Sequence, residues 1–71
     1  MTSLTKCKLG ETFQVLKVEG KPKTQKFLFS LGCSEGASVT VISKIASSYV
    51  IHLRDSRYAI DDKMAKTIWV K

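Results

Sequence analysis

Residues 27 to 42, Phe27-Leu28-Phe29-Ser30-Leu31-Gly32-Cys33-Ser34-Glu35-Gly36-Ala37-Ser38-Val39-Thr40-Val41-Ile42, read as the end of a helix, a glycine stop, a turn and then a strand. Lys23 to Leu31 is long enough for two helical turns, and Pro22 just ahead of it suits a helix start. Thr24, Phe27, Leu28 and Leu31 fall at the i, i+3, i+4, i+7 spacing of one apolar stripe, so they are expected to face the core. Phe29 lies off that stripe, which leaves open whether it packs under a loop or meets solvent. Gly32 sits where a left-handed residue closes a helix, Cys33 fills a slot suited to a small buried hydrophobe, and Gly36 marks a second turn before a β-branched run. None of these residues forms a nucleophile with a base. The glycines do not make a phosphate loop either, because they follow a helix and lack the Lys-Ser/Thr ending. The unit points to a docking module rather than an enzyme.

Working outward, Thr12 to Val18 reads as a strand whose apolar phase shifts from Phe13 and Val15 to Leu16 and Val18. That shift signals a bulge or burial on both faces. Gly20-Lys21-Pro22 ends it. Ala37 to Ile45 alternates through Ala37, Val39 and Val41, and Tyr49 to Arg54 alternates through Tyr49, Ile51 and Leu53, so the two should pair across the short Ala46-Ser47-Ser48 connection. Val50, His52 and Arg54 then lie on the opposite face. Asp55-Ser56 is a turn signal before a short strand, Arg57 to Ile60. Asp61 is a credible N-cap for a short helix over about 61–66, with Asp62 in its first turn and Lys63 and Lys66 toward its end. Thr67-Ile68-Trp69-Val70 is the last strand. The reading is mainly β: a small, strongly bent β-barrel of SH3 type with about five strands. One helix (about 23–31) follows the first strand, and a short one precedes the last.

The chain has 71 residues, 44% of them hydrophobic, with one proline, which fits a single folded domain over 1–71. A domain this small buries only about 60% of its unfolded surface and has little room for an enclosed cleft. Twelve Lys and Arg against six Asp and Glu give a formal charge of +6. That balance favours anionic partners, yet the charges are dispersed and form no basic run. The two cysteines, Cys7 and Cys33, are too far apart for a metal knuckle and are expected to stay reduced thiols. The amino terminus lacks the apolar core of a signal peptide and no window approaches a membrane span, so a cytoplasmic location is expected.

With those elements in order, the chain resembles the family of ferrous iron transport protein A, the FeoA proteins. The resemblance rests on Gly10-Glu11 before the first strand, on Lys26 to Gly36 in the place of the family's leucine-rich helix and L-G-x-x-x-G turn, and on the terminal Ala65-Lys66-Thr67-Ile68-Trp69-Val70. Glu35 stands where relatives carry a proline, and Ile45-Ala46-Ser47-Ser48 replaces a longer A-P-L-G-D-P loop. The resemblance implies an SH3-like barrel related to the carboxy-terminal domain of iron-dependent DtxR-type repressors. It also implies a partner: FeoB, the membrane transporter of ferrous iron with a cytosolic GTPase domain. The expected role is an accessory protein that modulates the transporter's assembly or activity, reaching the membrane only through it, with no catalysis, cofactor or small-molecule substrate.

The surface expected to serve that docking comprises Lys23, Lys26 and Phe29 on the helix, Lys44, Ile45 and Tyr49 on the hairpin, and Trp69. Strand alternation places Trp69 opposite Ile68 and Val70, facing out if those two fill the core. His52, Cys33 and Glu35 are the candidates for a metal site, but they lie on different elements without ligand spacing, so no metal is expected. A weak homo-oligomer through a strand edge is a further expectation. Two rival functions remain: a basic barrel that binds nucleic acid, and a regulatory barrel acting on an iron-dependent repressor. Against nucleic acid, Phe13, Phe27, Phe29, Tyr49, Tyr58 and Trp69 fall mostly at expected core positions.

Overall fold

The computed structural model describes residues 1–71. Its strands are β1 (Thr2–Ser3), β2 (Thr12–Val18), β3 (Ser38–Ile45), β4 (Ser48–Leu53), β5 (Ser56–Asp61) and β6 (Ile68–Val70). A 3-10 turn, Leu4–Lys6, follows β1, while helix α1 (Pro22–Ser30) follows β2 and helix α2 (Asp62–Ala65) precedes β6. The sheet order is β1-β6-β2-β3-β4-β5, every pairing antiparallel. All five strands expected from the sequence are present. The sixth is β1, two residues long and invisible to a periodicity argument; it pairs Thr2 with Val70 and Ser3 with Trp69.

β2 explains how so short a chain closes on itself. Its first half pairs with β3, through Phe13 and Val39, and its second half pairs with β6, through Val18 and Ile68. The register slips between Val15 and Lys17, where the apolar phase of the sequence changes. A bulge bends the strand and increases its twist, so one strand serves two sheet halves facing each other. The residues turned inward form one core: Leu4, Val15, Val39, Val41, Tyr49, Ile51, Leu53, Ile60, Ala65, Ile68 and Val70, joined by Leu28 and Cys33.

α1 ends as its glycine implies. Leu31 is the C-cap, Gly32 has φ +96, its N–H donates to Phe29 O at 3.0 Å, and the Cys33 N–H donates to Leu28 O at 3.0 Å. This pair of hydrogen bonds is a Schellman motif, and its two apolar partners, Leu28 and Cys33, are both fully buried. α1 starts at Pro22 after Gly20, whose φ is +100. A Cβ on Gly20 would stand 2.9 Å from Thr67 Cγ2, so the glycine lets the chain enter the helix tight against the approach to β6. α2 is capped by Asp61, whose carboxylate accepts from the Met64 N–H at 2.8 Å.

The expected stripe of α1 is corrected in one respect. Leu28 is its single buried residue, Thr24 and Leu31 are partly buried, and Phe27 is 46% exposed. Phe29 also meets solvent, at 47%. α1 lies on the outside of the barrel and touches the core along a line, so only one residue of its nine sinks fully. Phe27 and Phe29 therefore leave the list of core aromatics.

A candidate docking surface

Lys23, Lys26 and Phe29 are all exposed on α1. Lys26 and Phe29, three apart, are neighbours on one helical face. At the other end of the chain's central hairpin, Ile45 is 65% exposed and pairs in register with Ser48 across the Ala46-Ser47 turn. The tip is held from below, because the Asp62 N–H donates to Ser47 O at 2.8 Å.

Tyr49 lies elsewhere than on that surface. It is buried to 3% in the core, and its hydroxyl donates to Asp62 Oδ1 at 3.3 Å. The Lys44 ammonium sits 5.4 Å from the centre of its ring, a cation–π contact at the hairpin's flank. Tyr49 thus supports the hairpin, while Lys44 and Ile45 present it. Asp62 also pairs with Lys66 at 3.0 Å. The Lys66 hydrogen bond holds the Asp62 carboxyl below its ordinary range; partial desolvation opposes this, and the Lys66, Tyr49 and Lys44 groups reinforce it.

Trp69 follows the expected alternation, between fully buried Ile68 and Val70, but it is only half-exposed. Its register partners Ser3 and Lys17 flank it on β1 and β2. Its indole Nε1 is covered and has no hydrogen-bond acceptor.

The metal candidates do not converge. Cys33 is in the core, and burial pushes its thiol up to about 11. Glu35 is exposed in the turn that follows, and His52 lies half-buried on β4 opposite Thr40 and Arg57. No three His, Cys, Asp or Glu side chains stand close enough to share an ion.

Sequence reasoning missed the groove between α1 and α2. Phe27 and Met64 form its apolar floor beside Lys21, Lys23 and Thr24, and it continues past Gly20 and Thr67 to Lys63 and Asp61. Helical spacing assigned Phe27 inward; the only hint otherwise was its place four residues after Lys23 on a helix of nine.

The FeoA domain profile matches residues 2–71. No curated protein matches the chain. Among solved structures, an iron uptake regulatory protein, FeoA, is 22% identical and superposes with a TM-score of 0.90 over 99% of this chain and 95% of its own. A FeoA of Stenotrophomonas maltophilia, complexed with zinc and described as a prokaryotic SH3 domain protein, is 19% identical with a TM-score of 0.88, covering 100% of this chain and 91% of its own. A manganese-dependent transcriptional repressor is 21% identical with a TM-score of 0.89 over 97% of this chain, but only 40% of the repressor is covered. At such identities the likeness carries the SH3-like fold. The profile match over nearly the whole length carries the family: this chain belongs to the FeoA family, small proteins related to ferrous iron uptake.

Proposed function

We propose that this protein is a cytoplasmic adaptor of ferrous iron uptake. It docks on the cytosolic GTPase-bearing region of a FeoB-type transporter and modulates that transporter's assembly or activity. The observation that carries the reading is the exposure of large apolar side chains, Phe27, Phe29 and Ile45, on a small lysine-rich barrel. Aromatic and aliphatic anchors framed by polar groups are the composition of binding hot spots rather than of solvated surface. A non-catalytic accessory role suits a barrel whose depressions are shallow and open. No helix of the chain is long and apolar enough to cross a membrane; in this reading the adaptor meets the membrane at its partner.

The test is calorimetric titration against the purified cytosolic region of a FeoB-type transporter, in GDP and GTP-analogue states and at two salt concentrations. Saturable binding of roughly micromolar strength is expected, with modest salt dependence. Phe29→Ser or Ile45→Ser, both at exposed positions, should weaken it by about tenfold. Absence of binding in both nucleotide states overturns the reading.

Nucleic acid is the reading to separate from this one, because Phe27 and Phe29 are solvent-facing aromatics on a helix that also carries Lys23 and Lys26. Binding to an oligonucleotide would fall log-linearly with salt, with a slope of about −0.7 per phosphate contact on a single strand. Docking through an apolar patch would not.

A further inference from the structure

The groove between α1 and α2 has an asymmetry of charge over an apolar floor. Its floor is Phe27 and Met64, and its rim carries Lys21, Lys23 and Lys63. None of these lysines forms an ion pair: the salt bridges of the chain are Lys17 with Glu19 and Lys66 with Asp62. The one carboxylate on the rim, Asp61, accepts from the Met64 N–H at 2.8 Å as the cap of α2. With three lysines against that one carboxylate the groove keeps a net positive charge, and it borders an apolar strip. We infer that this groove docks an acidic amphipathic helix of a partner protein, apolar residues on Phe27 and Met64 and carboxylates against Lys21, Lys23 and Lys63.

Each part of the groove has a counterpart in that occupant. An amphipathic helix laid in a groove presents apolar anchors at i, i+3 or i+4, and i+7, flanked by its own polar edges. Acidic edges would pair with the lysine rim, which accelerates encounter and fixes orientation. Phe27 is half-exposed, so covering it releases apolar surface from water without first unfolding anything. Met64 is half-buried beside it, and its unbranched thioether adapts to irregular partners. A nucleic acid would match the lysines but would leave Met64 poorly used, and a lipid surface is flat where this site is concave.

The inference deepens the adaptor reading and rests on it, so the experiment has two independent arms. In the first, the full chain labelled with 15N is titrated with a synthetic amidated amphipathic helix of Leu and Glu, and with its Leu and Lys counterpart. Saturable shifts confined to residues 20–28 and 61–67 are expected with the acidic peptide alone. Lys23→Glu and Phe27→Ser, at exposed positions, should each weaken binding by about tenfold. Shifts elsewhere, no shifts, or equal binding of the basic peptide overturn the groove. So does a stronger response of the same residues to oligothymidylate or to phosphatidylglycerol vesicles. In the second arm, the same two variants are titrated against the transporter's cytosolic region. If the wild type binds and the variants bind equally well, the groove falls and the adaptor reading stands. If the wild type binds the acidic peptide but not the transporter, the transporter assignment falls and the groove stands.

Discussion

The side chain of Arg54 lies across Gly32, so that a Cβ on the glycine would stand 3.2 Å from Arg54 Nε. Both residues have left-handed backbones, Gly32 at φ +96 and Arg54 at φ 55. Gly32 closes α1, and Arg54 begins the two-residue turn from β4 to β5, where Leu53 pairs with Ser56. The contact joins the stop of the helix to the tip of a hairpin far away in sequence, and places a guanidinium near the helix end where a cation is favoured.

Alanine at the glycines should destabilise in a graded order. At Gly36 there is open space and only the left-handed backbone matters, about 1–2 kcal/mol. Gly32→Ala adds a close contact that the flexible Arg54 side chain can yield to, so its loss should be similar or slightly larger. Gly20→Ala drives a Cβ to 2.9 Å from the β-branched Thr67 and should be the worst of the three. Urea midpoints of the three variants check the order; Gly20→Ala being the mildest would contradict the packing described.

Ala46 occupies φ 54 in the β3–β4 turn, a conformation that costs an L-residue with a Cβ about 1–2 kcal/mol. Ala46→Gly should raise stability by about 0.5–1 kcal/mol, part of the relief being offset by the freer unfolded chain. For a domain of this size that corresponds to a melting point higher by roughly 2–8 °C. A lower melting point would place strain elsewhere in the hairpin.

Asp62 should contribute to acid sensitivity. Its carboxyl is held down chiefly by Lys66, so its folded pKa lies below the unfolded one. The stability it confers is present above the unfolded pKa of about 3.9 and is lost as pH falls through the folded value. Asp62→Asn should flatten the decline in urea midpoint below about pH 4, and added salt should shrink the difference. An unchanged acid limb in the variant would remove Asp62 from the account.

Cys33 has the opposite sense. Its thiol is raised from an ordinary 9.0 to about 11 by burial, so the folded state holds the proton more tightly. Its contribution is full below pH 9.0 and declines as pH rises through about 11. Cys33→Ala should therefore lose less stability between those pH values than the wild type does, although it starts lower because of the cavity. Thiol titration with a disulfide reagent at neutral pH should show half-buried Cys7 reacting first and Cys33 only on unfolding. Equal rates would show that the core opens locally around α1.

What the sequence determined by itself is what depends on neighbours along the chain. Alternation put Ile51 and Leu53 on one face with Tyr49, because side-chain direction in a strand follows from two-residue periodicity; that face is the core, so Tyr49, expected on the docking surface, is buried instead. Gly32 and Asp61 marked the end of α1 and the start of α2, because a left-handed backbone and an unpaired amide are local needs. The phase shift in β2 announced its bulge. The tertiary structure decided the rest. β1 has two residues and no period of its own, and is a strand only because β6 lies beside it. Trp69 alternates outward, yet flanking β1 and β2 half-cover it. Phe27 shares the spacing of Leu28, but a short helix lying tangent to a barrel buries one residue and leaves the next turn outside. That geometry creates the groove, because which side of a stripe reaches the core depends on how the helix is laid down and not on the stripe itself.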